Sequence, residues 1–222
     1  MELPIDSFQA CLAFGPLALY LLAVAALNLR RRPTLVSGTS DTAAMALALL
    51  GVVMIGPMEL FFPESAALHP LIGRLVWVPL VSLYGLCVVL VLLSMRPRIV
   101  VYNISIEELR RALADVVAEL DPEARWAGDN LFLPRLGVQL HLDSVVRMRN
   151  ISLVASGPHQ NYLGWHKLHR SLATSLRGLR VARNVRCLAL ALSALGIIVM
   201  LTYLVVDNPD ATLQAMREMF RV

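Results

Sequence analysis

Three histidines, His159, His166 and His169, fall within eleven residues of one another, and His141 stands two places before Asp143. Imidazole is a good zinc ligand, and two histidines three apart on a helix can share a face. The pattern stops short of a metal site, because no HExxH is present and no cysteine joins the cluster. No metal is therefore expected, with His159, His166 and His169 as the nearest candidates. No GxSxG places a nucleophile, and neither GxGxxG nor GxxxxGKS/T offers a phosphate cradle. The sequence names no catalytic residue and no cofactor, and it leans away from an enzyme. The alternative is a membrane-bound enzyme with an interfacial site near the three histidines.

A second place for chemistry is Glu59, which follows Gly56-Pro57-Met58 near the end of an apolar run. An acid within a membrane span is a functional-site hypothesis by default. Glu59 lies close to the outer end of its run, and Arg74 enters the next run from the same side, so a Glu59–Arg74 pair is expected. An ion or proton path, and with it a transporter subunit, is the lesser alternative. The other runs offer few polar groups, among them Asn28, Ser82, Tyr84, Ser193 and Thr202.

The third place is the loop Ala155-Ser156-Gly157-Pro158-His159-Gln160-Asn161, followed by Gly164-Trp165. It opens a helix whose first backbone N–H groups could receive an anion or a partner carboxylate. His159, Gln160, Asn161 and Trp165 are the candidate interaction surface.

Four charge-free runs position these residues. Ser7 to Leu29, Thr42 to Phe62 (past Glu59), Leu75 to Met95 and Cys187 to Val206 each approach the ~20 residues of helix that cross a bilayer core. Hydrophobic residues make up 57% of the chain and mean hydropathy is +0.65, far above a soluble protein of this length. The spans are expected at about 7–29, 42–62, 74–95 and 181–206.

Orientation follows from arginine. Arg30, Arg31 and Arg32 follow the first span directly, Arg96 and Arg98 follow the third, and Arg177, Arg180, Arg183 and Arg186 precede the fourth. By the positive-inside rule, residues 96–186 face the cytoplasm and both termini lie outside an inner or cytoplasmic membrane. The opening residues carry Glu2 and Asp6 in place of a basic region, which reads as an uncleaved anchor. Cys11, Cys87 and Cys187 are too scattered for a disulfide framework.

The polar stretch 96–180 reads as a small α+β domain between the third and fourth spans. Ile99 to Tyr102 suits a buried strand, and Ser105-Ile106-Glu107-Glu108 is a capping box opening an amphipathic helix that stops at Asp121-Pro122. Short strands follow at 125–127, 131–133, 137–143 and 148–155, the third with Val138, Leu140 and Leu142 alternating with polar residues. A second helix begins near Asn161. With no proline from Asn161 to Val206, it is expected to run into the fourth span as a nearly continuous rod. Both helices should cover one side of an antiparallel sheet.

Between Arg96 and Arg186 there are fourteen basic and eight acidic residues, a net of +6. Beside a bilayer this surplus serves topology and anionic lipid, with Arg30, Arg31, Arg32, Arg177, Arg180, Arg183 and Arg186 reaching headgroups. No basic stretch is interleaved with aromatics, so nucleic acid is not an expected partner. The tail, 207–222, should form a short external amphipathic helix with Leu213, Met216 and Phe220 near one face. The resulting expectation is a multi-pass membrane protein presenting an interaction domain for assembly, scaffolding or sensing. Its partners would be the bilayer, anionic headgroups, and its own copies or another protein.

Overall fold

The computed structural model describes residues 7–61, 70–145, 148–158, 160–210 and 212–214, with side chains described except at 57–61, 70–77 and 145. The chain divides into two compact units, one of 1–23, 43–93 and 190–222, the other of 24–42 and 94–189.

The first unit is helical. Among the described residues, three helices are long and apolar enough to cross a membrane: Ser7–Leu29, Gly38–Gly56 and Val185–Asp207. We label the helices α1 (Ser7–Leu29), α2 (Gly38–Phe61), α3 (Pro70–Ser94) and α6 (Leu188–Asp207), the labels α4 and α5 being given below. The apolar run within α3 whose side chains are described is shorter, Val78–Ser94. Small residues line what is buried here, including Ala10, Ala13, Ala18 and Ala48. Gly51 of α2 lies so close to α1 that a Cβ on it would stand 2.0 Å from the Leu12 carbonyl oxygen. Close backbone approach through small residues is how helices associate where lipid supplies no hydrophobic drive. The Tyr84 hydroxyl donates to the Ala46 carbonyl at 2.7 Å, and the Ser7 hydroxyl to that of Leu204 at 3.1 Å.

The second unit is a six-stranded antiparallel sheet with two helices. Its elements are β1 (Thr34–Ser37), β2 (Arg98–Tyr102), α4 (Ile106–Leu120), β3 (Arg125–Ala127), β4 (Asn130–Leu133), β5 (Val138–Val145), β6 (Asn150–Ala155) and α5 (Tyr162–Arg177). The strand order is β1-β2-β6-β5-β4-β3. Thus β3 to β6 form a meander and α4 carries the chain from β2 to the far edge.

The helix starts where its capping box says it should. Ser105 Oγ accepts from the Glu108 amide at 3.3 Å, and Glu108 Oε2 accepts from the Ser105 amide at 2.9 Å. Period-2 burial follows on the strands, with Val138, Leu140 and Leu142 on β5 and Ile151, Leu153 and Ala155 on β6 all buried. These residues form one core with Leu109, Leu113, Val116 and Val117 of α4 and Trp165, Leu168, Leu172 and Leu176 of α5, so both helices cover the same face. The stop at Asp121 is built by its carboxylate. Fully buried, it accepts from the amides of Glu123, Arg135 and Leu136 at 3.1, 2.8 and 3.3 Å, tying the end of α4 to the turn before β5.

Two features depart from the sequence reading. The sheet takes in β1, a strand from the short connection between α1 and α2, which pairs Leu35 with Val101 and Val36 with Val100. The sheet-bearing unit is therefore not one continuous insertion. The rod expected from Asn161 to Val206 is also broken: α5 ends at Arg177, 178–184 is non-helical, a 3-10 turn spans Val185–Cys187, and α6 begins at Leu188. Helical propensity is overridden because this segment's donors bond elsewhere, Val181 N–H to Arg31 O at 2.9 Å and Asn184 N–H to Asn28 O at 3.4 Å. The expected tail helix lies mostly outside the described residues, of which 209–210 and 212–214 are helical.

Candidate functional site at the helix ends

A helix leaves its last carbonyls without intrahelical donors. At the end of α1 and just beyond it three carbonyls are taken, only that of Asn28 belonging to the helix itself. Besides Asn28 O and Arg31 O, held by the segment after α5, Arg30 O accepts from Asn103 Nδ2 at 2.6 Å. Asn103 reaches it from the end of β2 by adopting φ 56°, a left-handed conformation that asparagine tolerates better than most residues. Asn184 works in both directions, donating Nδ2 to Met148 O at 2.8 Å and accepting from the Arg186 amide at 3.2 Å. Asn28, Asn103 and Asn184 are all buried. A polar side chain at such depth holds position through its hydrogen bonds.

The start of α2 is held separately. β1 runs directly into the helix, and Ser37 Oγ accepts from the Ser40 amide at 3.2 Å as a cap. Asp41, in the first turn, accepts from Arg98 Nη2 at 3.3 Å and from the Tyr102 hydroxyl, while Arg98 also donates to Thr42 Oγ1 at 3.3 Å. A carboxylate at this end also complements the helix dipole. Gly38 is required for the approach, since a Cβ there would stand 2.7 Å from Arg98 Cβ.

Around these attachments stand Arg30, Arg31, Arg32, Arg177, Arg180, Arg183 and Arg186, every one exposed. The four ion pairs among the described residues are Arg98–Asp41, Arg110–Asp129, Arg135–Glu123 and Arg149–Glu108, and none uses these seven arginines. From residue 180 to 187 burial repeats every third position, with Val181, Asn184 and Cys187 inward and Arg180, Arg183 and Arg186 outward. The absence of proline had suggested a helical rod; here the segment is an irregular strap.

The other predicted positions fare differently. Glu59 and Arg74 fall where side chains are outside the described residues, as does His159 altogether. His166 is exposed and His169 half-buried on α5. Burial pushes the His169 imidazole below its ordinary value, and the neighbouring His166 adds to the shift. Among the described residues no group of three His, Cys, Asp or Glu side chains is placed to hold a metal ion. His141 Nδ1 is 3.0 Å from Asn130 Oδ1 on the sheet face away from the helices.

In the loop before α5 the polar groups face one another. Trp165 is buried and its Nε1 donates to Gln160 Oε1 at 2.9 Å; Gln160 Nε2 donates in turn to Ser156 O at 2.6 Å and Gln139 O at 3.1 Å. Asn161 caps the helix, accepting from the amides of Leu163 and Gly164 at 2.9 and 3.4 Å, so the N–H groups expected to meet an anion are already bonded. What this end of α5 exposes is Tyr162, at 70%, and Leu163, at 72%. A shallow depression of about 300 Å³ lies at the β3 edge between Arg110, Arg111, Ala114, Trp126 and Gly128. Arg110 stacks over the Trp126 ring at 5.8 Å and its Nη2 is tied to Asp129 and to the Gly128 carbonyl within the chain.

No protein family, no curated protein and no solved structure matches this chain. The buried asparagines and β1 were not singled out in the sequence as parts of a site. Asn28 looked like an isolated polar residue in a span, and β1 is four residues between a basic cluster and a helix.

Proposed function

We propose that the chain is a four-span integral protein of the inner or cytoplasmic membrane that holds its sheet-and-helix domain at the cytoplasmic face. The domain works by binding its own copies or a partner protein, in assembly, scaffolding or sensing. One observation carries the membrane half of this reading. β1, between α1 and α2, and β2, after α3, share one hydrogen-bonded ladder. They must then lie on the same side of any bilayer, and the chain between them must cross it an even number of times, which favours α2 and α3 as an outward and a returning span. A single crossing by α1 and by α6 would leave both termini on the opposite side. Charge supports the orientation, because the sheet-bearing unit holds seventeen of the twenty Arg and Lys residues.

The binding half rests on how many helices meet the sheet. The end of α1, the start of α2, the end of α3 three residues before β2, and the strap leading to α6 are all joined to it within a few residues. A partner seated on the domain would act on all of them together.

Single cysteines at Thr34, Asp129 and Asp210 in a background lacking Cys11, Cys87 and Cys187 test the topology. With a membrane-impermeant thiol reagent on intact cells, the first two should be protected alike and the third labelled. Labelling at Asp129 would overturn the orientation, and different behaviour at Thr34 and Asp129 the shared side. Cross-linking in native membranes followed by mass spectrometry tests the binding role; a protein recovered only as an uncrosslinked monomer would refute it.

A further inference from the structure

We infer that Arg30, Arg31 and Arg32 and the strap arginines Arg180, Arg183 and Arg186 form one polyvalent phosphate-binding site, whose ligand is the headgroup of a phospholipid carrying two phosphates. This rests on the membrane reading above and deepens it. In the sequence the two clusters are some 150 residues apart and could be two independent belts. In the fold they are bonded backbone to backbone. Val181 lies against Arg31 and Asn184 against Asn28, so the strap runs antiparallel to the end of α1. That pairing puts Arg180 beside Arg32, and Arg183 beside Leu29 and Arg30. Adjacent hydrogen-bonded chains are about 5 Å apart.

Arginines on chains this close repel wherever their guanidinium groups come within the ~8 Å over which physiological salt screens. No acidic side chain among the described residues offsets them. The strap is nevertheless fixed by Val181, Asn184 and Cys187 pointing inward, Asn184 with four hydrogen bonds in which its backbone N–H, Nδ2, Oδ1 and carbonyl take part. Exposed guanidinium groups on two bonded segments, none in an ion pair among the described residues, match phosphate, which arginine binds through paired N–H donors. Its place also fits a lipid: α6 starts one residue after the 3-10 turn, and the exposed apolar Val185 and Leu188 stand beside Arg186. Basic pockets at the cytoplasmic ends of membrane helices commonly take cardiolipin-type headgroups. Two phosphates on one headgroup bridge the two clusters, where a single phosphate meets only one.

The test uses the full-length protein in detergent, titrated with cardiolipin, phosphatidylglycerol, phosphatidylcholine or inorganic pyrophosphate, and read by native mass spectrometry and thermal unfolding. Cardiolipin should bind tightest and raise Tm most, phosphatidylglycerol less, and phosphatidylcholine should do neither. With about a fivefold contribution per arginine, changing either cluster of three to glutamine (R30Q/R31Q/R32Q or R180Q/R183Q/R186Q) should weaken cardiolipin on the order of a hundredfold. Changing both should add little more, because one site is already lost. Lysine in the same positions should restore much of the affinity, which separates loss of charge from loss of fold.

Two clusters that lose affinity independently, with effects that multiply, would overturn the single site. Equal binding of cardiolipin and phosphatidylcholine would overturn the ligand, as would pyrophosphate stabilising as strongly as cardiolipin. Fractionation of the same variants keeps the two readings apart. A chain that stays membrane-bound yet shows no preference for cardiolipin defeats this inference alone, whereas a chain found off the membrane defeats the membrane reading.

Discussion

The same amino acid is used in opposite ways in the two units. In the sheet-bearing unit Leu109, Leu113, Leu140, Leu153 and Leu168 are fully buried in one core. In the helical unit Leu19, Leu47, Leu86 and Leu192 are mostly exposed, and Leu93 reaches 80%. Large apolar side chains displayed on that scale mark a surface meant for something other than water. Charge divides the same way, the sheet-bearing unit carrying a net +8 and the remainder −4. The contrast teaches that apolarity stabilises the first unit by leaving water for a core and the second by matching its surroundings. Each then depends on different residues.

The largest expected effect comes from deleting the same leucine atoms in both units. Leu153→Ala should destabilise by about 2–5 kcal/mol, because a fully packed site is left with a cavity. Leu192→Ala, on an open face of α6, should stay within about 0.5 kcal/mol. Denaturant unfolding in detergent, followed by far-UV circular dichroism, measures both. Equal losses at the two positions would erase the distinction between buried core and exposed helix face.

Next come the close approaches, which the two units share. A Cβ on Gly164 would stand 2.2 Å from the Leu136 carbonyl oxygen, and one on Gly51 2.0 Å from that of Leu12. Alanine at either should cost about 1–3 kcal/mol through forced backbone shifts. Gly85 of α3 meets open space. There alanine should be neutral or stabilising by up to about 1 kcal/mol, the ordinary helix preference. A stabilising Gly51→Ala would mean that α1 and α2 do not pack through that glycine.

The smallest effect is a pH dependence confined to the sheet-bearing unit. Burial works to raise the Glu108 carboxyl, but the Ser105 amide, the Ser105 hydroxyl and the Arg149 guanidinium at 3.0 Å outweigh it, and its pKa lies below the ordinary value. A carboxylate depressed on folding contributes stability above its unfolded pKa, about 4.3, and that stability is lost as pH falls through the lowered folded value. Protection of the amides in the first turn of α4, taken relative to their intrinsic exchange rate, should therefore fall below about pH 4 in the native chain. Glu108→Gln should show the lower protection already at neutral pH, with little further change. A first turn that responds identically in both proteins would rule out the capping carboxylate as the cause.

Much of the local structure was legible because its signals are local. The capping box at Ser105 and Glu108, the alternation of Val138, Leu140 and Leu142, and the long apolar runs each depend on neighbours within a turn or two. Composition and arginine placement likewise led directly to membrane-length helices, three of which the structure carries. What escaped is what depends on distant partners. Thr34–Ser37 is too short to announce a strand, and it becomes one because β2 offers it an unpaired edge. Gly178 to Asn184 carries no proline to stop a helix, yet it is non-helical because Val181 and Asn184 donate to the Arg31 and Asn28 carbonyls around the end of α1. Trp165 and Gln160 looked like a surface and turned inward to satisfy each other. By itself, then, the amino-acid sequence determined those segments whose pattern is internal, the capped helix α4, the alternating strand β5 and the long apolar helices, since periodicity and apolar length act within a segment. Only the tertiary structure decided that the strand between α1 and α2 completes the sheet and that two remote arginine clusters lie side by side, because hydrogen bonds between segments far apart in the chain leave no mark on either segment alone.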